Sequence, residues 1–169
     1  MTDVSLQDMP PFAGHSPEQE RPLGSYAVMM GAFAAACGGF GAWLRSSGRE
    51  LPQEIATRDL ALAAVATYKA SRLLTRDRIT SAIRAPFTRY QDDAGRSEVN
   101  EAARGSGLRR AVGELLVCPY CLDMWTATSL MGGLVAAPRA TRWVASVFTV
   151  LAGADALQMA YIKAESILD

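Results

Sequence analysis

Two cysteines three positions apart, Cys118 and Cys121, stand in the run Leu115-Leu116-Val117-Cys118-Pro119-Tyr120-Cys121-Leu122-Asp123-Met124-Trp125. Residues i and i+3 share one side of a helix, so the two thiols are placed to act together. Proline between them is tolerated in a helix's first turn, where the N–H it lacks has no partner to lose. Cys118 is therefore read as the N-cap of a helix from Pro119 to Ala137, stopped by Pro138. A thiol at that end sits where the helix dipole and free N–H groups favour thiolate, the attacking species in disulfide exchange. In a catalytic reading Cys118 attacks and Cys121 resolves the mixed disulfide. In a packing reading the two thiols and Tyr120 close the helix end, with Pro119 and Asp123 aiding initiation.

Glutaredoxins carry the same tetrapeptide between a strand and a helix, but no stretch here alternates as β-strands, so that fold is excluded. Membrane thiol oxidases with four helices are a closer analogy, yet they carry a second cysteine pair, and only Cys37 remains here. A metal site needs two further ligands. His15 lies in the N-terminal tail and Cys37 in an apolar run, so only a dimer pooling two motifs would complete one. No metal and no cofactor is expected. With a single histidine and no phosphate loop or catalytic Ser-His-Asp set, hydrolase and kinase chemistry is excluded.

The other chemistry-bearing residues are charges beside apolar runs. Asp155 is the only charge between Trp143 and Ile162. A carboxylate in the middle of a membrane span costs about 2.5–3.5 kcal/mol, so it requires a cation, and Lys69 and Arg72 are the candidates for an intramembrane ion pair. Residues 72–110 hold nine arginines against five acids although the whole chain is neutral. Such a surplus beside apolar helices points to anionic lipid headgroups and a cytoplasmic location rather than to nucleic acid. Arg76, Arg78, Arg84 and Arg89 are the expected headgroup contacts.

Those residues must be positioned by helices. Ser25 to Leu44 is twenty residues without a charge, long enough to cross a bilayer. Gly31, Ala35 and Gly39 recur every fourth position, the small-residue spacing through which a partner helix or a second copy approaches. Leu60 to Leu74 is a weaker run, interrupted by Lys69 and Arg72; it is either part of a span over 57–74 or a half-inserted helix. Thr75 to Tyr90 spaces Ile79, Ile83 and Phe87 by four among arginines and reads as an amphipathic helix ending near Pro86, either on the membrane surface or packed on the bundle as a soluble helix. Gln91 to Gly107 reads as a mobile loop. The helix from Pro119 spans about 28 Å at ~1.5 Å per residue, and Pro138 to Arg142 is a tight turn into a last run over 143–162.

The expected fold is all-α: a small membrane helix bundle of three to four spans (25–44, 57–74, 119–137 and 143–162) within a domain over 25–165. A basic amphipathic helix lies on its cytoplasmic side, in a loop over 75–112. Residues 1–24, acidic and rich in proline, form a disordered tail. With the arginine-rich loop in the cytoplasm, the N-terminus, the C-terminus and the CPYC end lie there too, in the cytoplasmic membrane.

Taken together, TRDRIT and RAPFTRY, then GELLVCPYCLDMW and then ASVFTVLAGADALQ resemble the bacterial membrane family catalogued as domain of unknown function 1360. Some of its members are associated with sporulation. The resemblance covers roughly residues 55–165, and Cys118, Pro119, Tyr120, Cys121 and Trp125 match the family signature, with Asp123 where the family has glycine. It implies a fold and a membrane location but no reaction. The function expected is an interaction or structural component of the bacterial cytoplasmic membrane, with thiol–disulfide oxidoreduction at CPYC as the alternative.

Overall fold

The computed structural model of the chain describes His15 and residues 21–168. The tail expected over 1–24 lies outside these residues except for His15 and the segment from Arg21. Among the described residues the chain forms six α-helices and one two-stranded sheet, and it divides into two compact units.

The first unit comprises residues up to 49 together with 75–118. Its helix α1 runs over Leu23–Ser46. It ends where Ser46 and Ser47 turn their hydroxyls back to the Trp43 carbonyl and Gly48 takes φ +64°, the left-handed conformation that stops a helix at little steric cost. The segment expected as a basic amphipathic helix over 75–90 is broken up. A single 3-10 turn, Arg78–Thr80, leads into a four-residue helix α3, Ser81–Arg84, and strand β1 begins at Thr88. Pro86 lacks the N–H that a continuing helix would use.

The stretch expected as a mobile loop is a hairpin. Strand β1 (Thr88–Gly95) pairs antiparallel with β2 (Glu98–Ala103), from Thr88 opposite Ala103 to Gly95 opposite Glu98, with two register shifts between Tyr90 and Gly95. Arg96 and Ser97 form the two-residue turn, both at positive φ, the conformation that suits the twist of a hairpin. An all-α fold is thus corrected to a mostly helical one with a small sheet. Helix α4 (Gly107–Val117) packs on β2 and on α1. Gly113 makes that approach possible, since a Cβ there would run into the Phe87 carbonyl and lie 3.0 Å from the Ala103 side chain.

The second unit comprises residues 50–74 and 119–169, and carries helices α2 (Thr57–Arg76, its last two residues in the first unit), α5 (Pro119–Ala136) and α6 (Pro138–Leu168). Only Ala137 separates α5 from α6. Pro138 opens α6, because proline's fixed φ suits the first helical position, so residues 138–142 are its first turn and not a separate link. Gly133 leaves room there, since a Cβ on it would sit 2.7 Å from the Thr141 hydroxyl. The face that α2 buries is made of small and polar residues: Asp59, Ala63, Ala66 and Ala70, with Lys69 and Ser71 beside them. Small side chains at that spacing let other helices come close.

α1 and α6 are long and apolar enough to cross a membrane by length and composition, yet only 6% of the apolar window of each is buried within the chain. Large apolar side chains such as Met30, Val150 and Leu157 stand at least 70% exposed.

Candidate functional site

Within the second unit, α2 is held by three polar contacts from two different helices. Near its start, Asp59 accepts a two-pronged contact from Arg142, with Nε 2.9 Å from Oδ1 and Nη2 2.8 Å from Oδ2. Ten residues on, Lys69 Nζ lies 2.7 Å from Asp155 Oδ2. Two residues further, the Ser71 hydroxyl donates to Asp123 of α5. Asp59 and Lys69 are buried, whereas Arg142 and Asp155 keep part of their side chains exposed.

The signs of these charges carry information. α2 presents an acid and then a base; α6 presents a base and then an acid. Parallel helices match the two pairs, while an antiparallel arrangement would bring Asp59 toward Asp155 and Lys69 toward Arg142, like charge on like. An open apolar groove of about 450 Å³ lies between Leu60, Thr67 and Tyr68 of α2 and Asp123, Met124 and Met131 of α5.

Of the cations considered for Asp155, the one placed against it is thus Lys69; Arg72 is half-buried on the same helix. Sequence reasoning misses the Asp59–Arg142 pair. Arg142 marks the edge of an apolar run, and nothing local joins it to a carboxylate 83 positions away. Cys118 and Cys121 are disulfide-bonded; a free dithiol is not what the structure shows. Cys37 is an exposed free thiol on α1.

The headgroup arginines part company. Arg84 has no exposed surface at all and sits at the centre of the first unit's polar core. Its Nε and Nη2 lie 3.0 Å from the two Glu101 oxygens, and its Nη1 donates to the Thr80 hydroxyl at 2.6 Å and Nη2 to the Asp77 carbonyl at 3.1 Å. Ser81 and Thr88 add hydroxyl donors to the same carboxylate, each at 2.6 Å. Burial pushes the Glu101 carboxyl up, but these hydrogen bonds together outweigh it and hold its pKa below the usual value of 4.5. Arg84 therefore clamps the hairpin to the turn before it and has no side chain free for a lipid. Arg76 donates to Asn100 at 2.8 Å, Arg78 meets Asp93 at 3.0 Å on the surface, and Arg89 is exposed.

A Cβ on Gly31 or Gly39 would meet nothing within 4 Å, so that face of α1 is open in this chain. Among the described residues no three histidine, cysteine or acidic side chains converge as metal ligands.

The family model described as "Protein of unknown function (DUF1360)" matches residues 62–161. Sporulation protein YjcA of Bacillus subtilis (strain 168) is 30% identical over 88 residues, which is 50% of this chain and 75% of that protein. No solved structure matches. The family match takes in Lys69, Arg84, Glu101, the bonded cysteines and Asp155 and leaves out α1 and Asp59. The ion-paired helices, the clamped hairpin and the CPYC turn are therefore features of a chain that belongs to the bacterial family DUF1360.

Proposed function

We propose that this chain is an integral component of the bacterial cytoplasmic membrane that acts by interaction and scaffolding rather than by catalysis. The observation that carries the reading is the exposure of α1 and α6. A core helix of a water-soluble protein is mostly buried, whereas 6% of the apolar window of each of these two is buried. A bilayer removes that surface from water. α2 and α5 are the two further spans, with N- and C-termini in the cytoplasm. The charge matching of α2 with α6 supports this count, because helices on either side of two reversals run in the same direction. It also accounts for Arg142 at the outer side, where Asp59 neutralises it.

The open face of Gly31, Ala35 and Gly39 is the proposed contact for a protein partner or a second copy. The sporulation named in the relative is carried to this chain as the proposed setting. After an alkaline carbonate wash the chain should stay in the membrane pellet, and its recovery in the supernatant without detergent would overturn the reading.

A second reading, thiol–disulfide exchange, is favoured by one observation, the Cys118–Cys121 bond at the start of α5. A partner dithiol would reduce that bond to two thiols and itself become the disulfide. Cycling of this pair with a defined potential in membranes would support it.

A further inference from the structure

The turn 78–86 is built inside out. Thr80 and Arg84, four residues apart, are buried, while Ile79 and Ile83, also four apart, stand 84% and 60% exposed. Ala82, Ala85 and Pro86 are exposed beside them. In a water-soluble helix of this composition the isoleucines would face in and the arginine out.

A second observation points to the same place. Arg104 and Arg109 both turn to the Pro86 carbonyl, Arg109 with Nε at 2.8 Å and Nη2 at 2.7 Å, Arg104 with Nε at 3.4 Å. Gly105, at φ +85° and without a Cβ, leaves the room that the Arg109 stem occupies. Among the described residues no carboxylate pairs with either guanidinium, so two like charges converge on one exposed oxygen. Such a focus of positive charge is complementary to an anion. A third observation gives its depth. A Cβ on Gly107, at the start of α4, would come 3.8 Å from the Ser25 hydroxyl, so this corner of the unit lies beside the first turn of α1, the end at which the proposed span begins.

We infer that the 78–86 turn is an interfacial anchor: Ile79 and Ile83 dip into the bilayer surface, and Arg104 and Arg109 bind the anionic headgroups above them. This rests on the membrane reading of α1. It replaces the headgroup arginines expected from the sequence, of which Arg84 is buried, with two that lie on the far side of the hairpin in the chain.

The test uses the full chain in vesicles of phosphatidylcholine containing phosphatidylglycerol. An environment-sensitive fluorophore is attached at native Cys37 in one sample, and through Ile83→Cys in a Cys37→Ala background in the other. The probe at position 83 should be quenched by lipids carrying a nitroxide near the headgroup and be shielded from aqueous iodide. If iodide reaches position 83 while Cys37 stays protected, the anchor is overturned and the membrane span stands; if iodide reaches both, the membrane reading falls and the anchor with it. Shielding seen in native membranes but not in pure lipid would make a protein the occupant and also overturn the proposal. In the second arm, Arg104→Gln and Arg109→Gln should each lower the preference for phosphatidylglycerol over phosphatidylcholine by about fivefold. An unchanged preference would remove the headgroup role.

Discussion

Arg84 and Glu101 replace the apolar core that a small hairpin unit would otherwise need. Glu101 takes its hydrogen bonds from Arg84, Ser81 and Thr88 of the same unit, so the pair is stable only while both charges and their hydroxyl partners are present. Arg84→Ala leaves a buried carboxylate unpaired and should cost about 3–5 kcal/mol, read as faster amide exchange in β1 and β2. Glu101→Gln should behave similarly, whereas replacing exposed Arg89 by Ala should cost little. The acid response follows from the lowered Glu101 pKa. The unfolded chain takes up its proton near pH 4.5, the folded chain only at lower pH. The contribution is therefore complete above pH 4.5 and is lost as pH falls below it through the depressed value. Protease sensitivity of the hairpin should rise in that acid window, and in Glu101→Gln the rise should be absent. At Cys118 and Cys121, alkylation before and after reduction should show two of the chain's three thiols only after reductant is added; free reaction of both without it would remove the disulfide.

At the level of elements, the long apolar runs are readable because uninterrupted length is itself the signal: α1 and α6 include the runs expected for them, and α5 all of its own but Ala137. The hairpin is not. Its inward residues are Thr88, Val99 and a glutamate, so neither strand shows the apolar alternation by which strands are recognised. Arginines spaced along 75–90 suggest a solvated helix face, when one of them is the core. Asp155 can be given candidate partners from sequence because a lone charge in an apolar run demands one; Asp59 near a helix start makes no such demand, and Arg142 hides at a boundary. The same α2–α6 pairs are testable by exchange. Asp59→Arg should destabilise the second unit, and adding Arg142→Asp should restore part of the loss, with a coupling of about 1–3 kcal/mol in detergent unfolding experiments. Lys69→Ala with Asp155→Ala should couple within the same range; strictly additive effects would break the link between these two helices.

For the molecule as a whole, the membrane reading makes Cys37 a reporter. Exposed on α1, it should resist a charged maleimide in intact vesicles and react readily once the chain is dissolved in sodium dodecyl sulfate; fast labelling in vesicles would place α1 in water. With the native cysteines replaced, Ser97→Cys at the hairpin tip should be shielded from an impermeant reagent in intact cells if the arginine-rich segment lies in the cytoplasm as proposed; ready labelling would invert that orientation. The ion pairs of α2 also set a schedule for synthesis. Asp59 leaves the ribosome 83 residues ahead of Arg142. At about 5–20 residues per second the carboxylate waits roughly 4–17 s for Arg142, and Lys69 waits similarly for Asp155. On the proposed membrane reading, α2 through that interval carries Lys69 without Asp155, and Asp59 with only its neighbour Arg58 at 3.8 Å, which lipid disfavours. On that reading α2 should settle only once α6 has emerged, although it is made second, and a nascent chain halted before Arg142 should crosslink through α2 to a membrane insertase or chaperone more strongly than the full chain does.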